Sequence, residues 1–248
     1  MKHISYGASL TGSSGINGDA FYISPDRKVF VLADGASGSG RDGKVIMSQT
    51  CIEAARQHDF SSMQMAPHDY VDMLFGSINL KLIELSQESH QQLFGTIIIG
   101  VLDEDTLTVT TYGDSPVYLF TDRKIKRLAK NQKRYEDLIE QGYINRSEYE
   151  GYLKYMHERM RSCFDRFLPE IVPNNIVEQH AVKQGDMLVM CSDGLSDWIM
   201  PNTIFSVLLD SGVEQGTNDL MIKAKDTALA SQGYFDDITA ISVSFWQN

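Results

Sequence analysis

Nowhere in this 248-residue sequence does an apolar run approach the ~20 residues that a membrane-spanning helix needs. The opening Met1-Lys2-His3-Ile4-Ser5 leads into a polar Gly/Ser stretch rather than the apolar core of a signal peptide. No membrane role is expected, and the location implied is cytoplasmic. Cysteine is scarce: Cys51, Cys163 and Cys191 are odd in number and show no C-x-x-C spacing. A disulfide framework or a zinc site is therefore not expected, and a reducing cytosol fits. None of the three has an arginine six residues downstream, so the C-x5-R loop of cysteine-based phosphatases is absent. Positive charge is also in deficit, with 22 Lys and Arg against 33 Asp and Glu, a net charge of -11 and a pI near 4.9. That balance excludes the broad basic footprint of a nucleic-acid binder. His58, His68, His90, His157 and His180 have no metal-ligand spacing, and no repeat, linker or low-complexity tract is visible.

What is present suffices for one large domain, since 42% of the residues are hydrophobic. Asp19 to Ile23 and Lys28 to Ala33 read as a hairpin across Ser24-Pro25-Asp26-Arg27. Lys44 to Gln57 and Asp69 to Glu88 read as helices, the second with Val71, Leu74, Phe75, Ile78, Leu82 and Leu85 at helical spacing. A meander follows: Thr96 to Leu102, Leu107 to Tyr112, Val117 to Phe120 and Lys124 to Leu128, with connections too short for parallel crossovers. Residues 131–168 turn polar and basic with helical patterning, which predicts a helical surface insertion. Strands are predicted again at Ile176 to Val182, Met187 to Cys191 and Ile238 to Trp246, and helices at Asn202 to Leu209 and Asn218 to Ala230. Hairpins interleaved with helix pairs predict an α+β fold with antiparallel sheets. The last strand runs close to the C-terminus, so no attached sensor or membrane module is expected.

Four aspartates stand where an apolar run meets a turn. They are Asp34 after Val29-Phe30-Val31-Leu32-Ala33, Asp114 in Tyr112-Gly113-Asp114-Ser115, Asp193 after Met187-Leu188-Val189-Met190-Cys191-Ser192, and Asp236 before Asp237-Ile238-Thr239. Singly, Asp-Gly is an ordinary turn opener. Strand ends meeting at one rim of a sheet would gather these carboxylates, and like charges a few Å apart do not all stay ionised without a cation. Oxygen ligands without His or Cys select Mg²⁺ or Mn²⁺.

The order of six pieces resembles the metal-dependent serine/threonine protein phosphatases of the 2C type, the PPM family, in their bacterial form. The pieces are Asn17-Gly18-Asp19-Ala20, Val31-Leu32-Ala33-Asp34-Gly35, Phe94-Gly95-Thr96, Gly113-Asp114-Ser115-Pro116-Val117-Tyr118, Cys191-Ser192-Asp193-Gly194-Leu195-Ser196-Asp197 and Asp236-Asp237-Ile238-Thr239. The resemblance covers residues from about 17 to 243. It implies a four-layer αββα sandwich, two antiparallel sheets flanked by helix pairs, with metals in a cleft at one rim. It further implies that Asp34 bridges two metal ions, that the Gly35 carbonyl ligates one, and that Asp193 and Asp236 ligate the other. Asp19 resembles the residue that orients the attacking water, and Asp114 and Asp197 match positions that help hold a weaker third ion. Asp19, Asp34 and Asp193 are thus the implied catalytic set. The implied activity is hydrolysis of phosphoserine or phosphothreonine on a protein, using hydroxide formed on two or three Mn²⁺ or Mg²⁺ ions.

The sequence departs from the family pattern around the phosphate. The arginine clamp common in bacterial relatives is missing from Thr11-Gly12-Ser13-Ser14-Gly15-Ile16; Gly18 stands where Glu or Gln is usual, and Asp237 replaces the usual Asn. Arg41, Lys44 and Arg161 are the candidates to contact phosphate instead. Two rivals follow: a metal-binding pseudophosphatase that recognises a phosphoprotein without turnover, and a P-loop nucleotide hydrolase built on Gly38-Ser39-Gly40-Arg41-Asp42-Gly43-Lys44. The latter has Val45 where the magnesium-binding Ser or Thr belongs. Asp103-Glu104-Asp105-Thr106 resembles an aspartyl-phosphate motif, but reads as a hairpin tip.

Overall fold

The structure is a computed structural model, described here for residues 2–91, 93–129 and 177–246. The predicted insertion at 131–168, with Arg161 and Cys163, lies outside the described residues.

Among the described residues, ten strands form two five-stranded antiparallel sheets. One sheet has the order β1 (Lys2–Leu10), β10 (Ile238–Trp246), β9 (Met187–Cys191), β6 (Val117–Thr121), β7 (Lys124–Leu128). The other runs β2 (Asp19–Ile23), β3 (Val29–Gly35), β4 (Gly95–Asp103), β5 (Thr106–Tyr112), β8 (Glu178–Ala181). Helices α1 (Gly40–Gln57) and α2 (Pro67–Ser89) cover the second sheet, and α3 (Pro201–Ser211) and α4 (Val213–Gln232) the first.

Strand alternation creates the layering, because successive side chains point to opposite faces. Val29, Val31 and Ala33 of β3 pack with Met47, Cys51 and Ile52 of α1 and with Tyr70, Leu74 and Ile78 of α2. Phe30 and Leu32 face the other way, into a core shared with Leu188, Met190, Ile241 and Val243 of the opposite sheet. Val189, Cys191, Ile238 and Ala240 face outward onto Ile204, Leu208, Leu220 and Ala224 of α3 and α4. Three apolar seams thus separate four layers, as the sequence implied. Cys51 and Cys191 are buried thiols inside two of these seams, and burial pushes the Cys51 pKa up to about 12.

Some expectations change. β1 was not foreseen: its Ser, Gly and His residues lack strand propensity, and it is fixed by nine-residue pairing with β10. Helix α1 begins at Gly40, four residues before the expected Lys44, so Gly40 to Lys44 are already coiled. A P-loop needs that stretch as an open cradle of N–H groups, which the helical backbone does not provide. Asp103 and Thr106 close a hairpin, with Glu104 at φ 54°, as read from the sequence. Among the described residues, no helix is long and apolar enough to cross a membrane.

Candidate metal centre

The aspartates reach one rim because of strand register. Asp19 and Asp34 are directly paired across β2 and β3, and Asp34 pairs with Thr96 on β4. Asp34 shares the parity of Phe30 and Leu32, so it ends the inner face between the sheets. On the opposite sheet, Ser192 and Thr239 share the inner parity of Leu188, Met190 and Ile241. The two are bonded through the Ser192 N–H to the Thr239 carbonyl at 2.9 Å and the Thr239 N–H to the Ser192 Oγ at 3.0 Å. That double tie holds Asp193, just past the end of β9, beside Asp236, just before β10.

The remaining motif pieces are joined the same way. Thr96 Oγ1 and Ser115 Oγ lie 2.5 Å apart, fastening the Gly113-Asp114-Ser115 turn to the strand beside Asp34. Gly113 sits at φ 110°, a conformation that favours glycine. Asp193 opens a helical turn, Asp193–Ser196, and its carbonyl accepts from the Asp197 N–H at 2.9 Å. Gly35 and Gly194 are required by close approach: a Cβ at either would lie 2.0 Å from a carbonyl oxygen, that of Lys44 or that of Asp237.

Crowding of acids shows in their proton affinities. Burial raises Asp34 well above the usual carboxylate range, helped by the charges of Asp19, Asp193 and Asp236. Burial lifts Asp193 to about 8, with repulsion from Asp114, Asp236, Asp19 and Asp197 adding to it. Asp19 rises to about 6, chiefly by burial and then by Asp237, against hydrogen bonds from Thr239 and Ser192. Asp114 also rises to about 6, through burial and Asp197. Among the described residues, no three acidic, His or Cys side chains are drawn together as tightly as ion ligands are. They stand instead within electrostatic reach of one another.

These residues fit a hard divalent ion on two counts. The donors are all oxygen, and Asp19 Oδ2 is buried with no hydrogen-bond partner, an arrangement that costs free energy unless a ligand completes it. Asp197 and Asp236 are exposed, and Asp34, Asp114 and Asp193 are partly buried.

Of the phosphate candidates, Arg41 is exposed in the first turn of α1, and Arg161 is outside the described residues. Lys44 is buried, and its Nζ lies 2.7 Å from Asp237 Oδ2. Ser14, where the clamp would stand, is exposed, with its Oγ bonded to the backbone of Ile16. Sequence reasoning missed the supporting residues Thr96, Ser115, Ser192 and Thr239, although each lies inside a motif it had singled out.

No protein-family model matches the sequence, and no curated protein matches it. Solved structures do. The chain is similar to the serine/threonine phosphatase PstP/Ppp of Mycobacterium tuberculosis, at a TM-score of 0.77 and 20% identity over 99% of both chains. It is similar to the catalytic domain of PstP in complex with two manganese ions, at 0.76 and 20%, again over 99% of both. It is also similar to Stp1 of Staphylococcus aureus, at 0.75 and 19%, covering 100% of this chain and 96% of that one. The class defined here is therefore the four-layer fold of the serine/threonine phosphatases.

Proposed function

We propose that this chain is a metal-dependent protein serine/threonine phosphatase of the 2C type, acting on phosphoserine or phosphothreonine of a protein substrate. The observation that carries the proposal is the gathering at one rim of Asp19, Asp34, Asp114, Asp193 and Asp236, whose burial and mutual charge raise the proton affinity of Asp34 and Asp193. Asp34, the Gly35 carbonyl, Asp193 and Asp236 would hold two Mn²⁺ or Mg²⁺ ions, and Asp114 and Asp197 with Asp193 a third. Bound in pairs, such ions make a neighbouring water acidic and neutralise phosphate charge. The chain's own share is positional. Thr96, Ser115, Ser192 and Thr239 fix the carboxylates, and Asp19, with its unpartnered Oδ2, orients water at the inner wall. That a structural neighbour was solved with two manganese ions supports the choice of cofactor.

The test is a Mn²⁺ titration of aryl-phosphate and phosphopeptide hydrolysis, repeated with chelator. Turnover should appear with metal and vanish with chelator, and Asp34→Asn or Asp193→Asn should lower it by orders of magnitude. Undiminished turnover in chelated protein would sink the proposal. Tight Mn²⁺ binding without turnover would favour a pseudophosphatase, for which the missing arginine at the Ser14 loop is the one argument.

A further inference from the structure

Gly18 and Asp237, two departures from the family pattern, meet in space at a third residue, Lys44. Asp237 is 4% exposed and Lys44 6%. The carboxylate accepts three bonds: at Oδ1 from the Gly12 N–H at 2.7 Å, and at Oδ2 from the Gly18 N–H at 2.8 Å and from Lys44 Nζ at 2.7 Å. Lys44 Nζ also lies 3.5 Å from Ser14 Oγ. Gly18 has no side chain because the lysine stem fills that space: a Cβ there would be 2.6 Å from Lys44 Cδ.

Each partner adjoins a proposed metal ligand. Gly18 precedes Asp19, Asp237 follows Asp236, and the Lys44 carbonyl packs on Gly35. The pair therefore pins the loop before β2, the first turns of α1 and the start of β10 to one another. We infer that the buried Lys44–Asp237 ion pair is a positioning device for the metal centre: a fixed cation inside the protein that ties together the backbone segments carrying Asp19, Gly35 and Asp236. Lys44 is on this account committed to Asp237 rather than to the substrate phosphate. The inference rests on the phosphatase reading for the identity of the ligands.

The test is calorimetric Mn²⁺ binding to the whole protein, with thermal melts and 4-nitrophenyl phosphate kinetics alongside. Lys44→Met and Asp237→Asn should each weaken Mn²⁺ binding by about 10–100-fold, the usual cost of losing a group that orients metal ligands. The double variant, whose buried pair is neutral, should bind more tightly than either single one, because each single variant leaves a charge or a donor buried without its partner. Gly18→Ala keeps every charge but crowds the lysine stem, so it should weaken binding too and serves where a charge variant does not fold. Lower melting temperatures with unchanged Mn²⁺ affinity would overturn the inference. So would a Lys44→Met variant whose only defect is a raised KM, the signature of a phosphate clamp. Wild-type protein that binds Mn²⁺ but fails to turn over refutes the phosphatase reading while leaving the affinity comparison decisive. Wild-type protein that binds no Mn²⁺ refutes both.

Discussion

Metal-free protein should lose stability as pH rises from 5 to 7, the reverse of what salt-bridged carboxylates produce. Asp34 and Asp193 are the main sources. Burial, helped by the charges of Asp19, Asp193 and Asp236, holds the Asp34 carboxyl well above its ordinary range, and the Asp193 carboxyl is lifted from 3.8 to about 8 in the fold, by burial first and neighbouring acids second. Across that interval each of these carboxyls holds a proton in the fold that it has released in the unfolded chain, so each lowers stability by up to about 1.4 kcal/mol per pH unit. Two units give about 3 kcal/mol for each, a large part of the 5–15 kcal/mol typical of a folded protein. Asp19 and Asp114, both raised to about 6, contribute in the lower half of the window. His3 opposes them: burial lowers its pKa, so its neutral folded form gains stability as the unfolded imidazole deprotonates near 6.5. Mn²⁺ reverses the situation by favouring every charged carboxylate. Saturating metal should flatten the slope, and binding at pH 7 should release about one proton or more. Urea melts at pH 5, 6 and 7 with chelator or with Mn²⁺ measure the slope, and calorimetry in two buffers of different ionisation enthalpy measures the protons. Asp193→Asn should reduce the slope and leave the share that Asp34 carries. A chelated protein as stable or more stable at pH 7 than at pH 5, or metal uptake without proton release, would refute the reasoning.

Gly35→Ala should destabilise by several kcal/mol, beyond the usual ~1–3 kcal/mol of overpacking, because the new methyl meets backbone rather than a movable side chain; a urea midpoint equal to wild type would show that the rim yields. Asp114→Ala and Asp197→Ala should slow turnover while two Mn²⁺ ions still bind by calorimetry; loss of the tight pair of ions would mean the two residues are inner ligands. Small aryl phosphates should show a high KM, since no arginine stands at the Ser14 loop, and Ser14→Arg should lower it through charge-assisted bonds to phosphate. An unchanged KM in that variant would mean the loop does not face the substrate.

Much of the fold was legible because β-rich runs are bounded by turn residues. Asp19–Ile23, Lys124–Leu128, Met187–Cys191 and Ile238–Trp246 match their expected limits. What escaped was decided by packing. Gly7 weakens any strand reading of β1, yet a Cβ there would lie 2.4 Å from the Phe21 ring, so the glycine answers to the facing sheet rather than to local propensity. Gly40 and Gly43 hid the first turn of α1: Gly43 is buried, and Gly40 has open space around it but a φ of 77° that favours glycine. Asp34 and Asp193 were visible because one strand-then-Asp-Gly device occurs twice. The Lys44–Asp237 pair joins residues 193 apart, and nothing local in the sequence marks it.

The position of β10 between β1 and β9 has a consequence for synthesis. Until residues 238–246 leave the ribosome, two neighbouring strands present open edges, and the acidic rim lacks Asp236 together with the carboxylate that ties Gly12 and Gly18. A nascent chain is thus expected to be both adhesive and inert, then to gain solubility and chemistry at one stroke. The same arrangement makes the molecule a natural candidate for division: a fragment ending before Asp236, supplied with a separate peptide carrying Asp236 to Trp246, would regain sheet and ligand set together, so that hydrolysis would report on whether the two pieces had met.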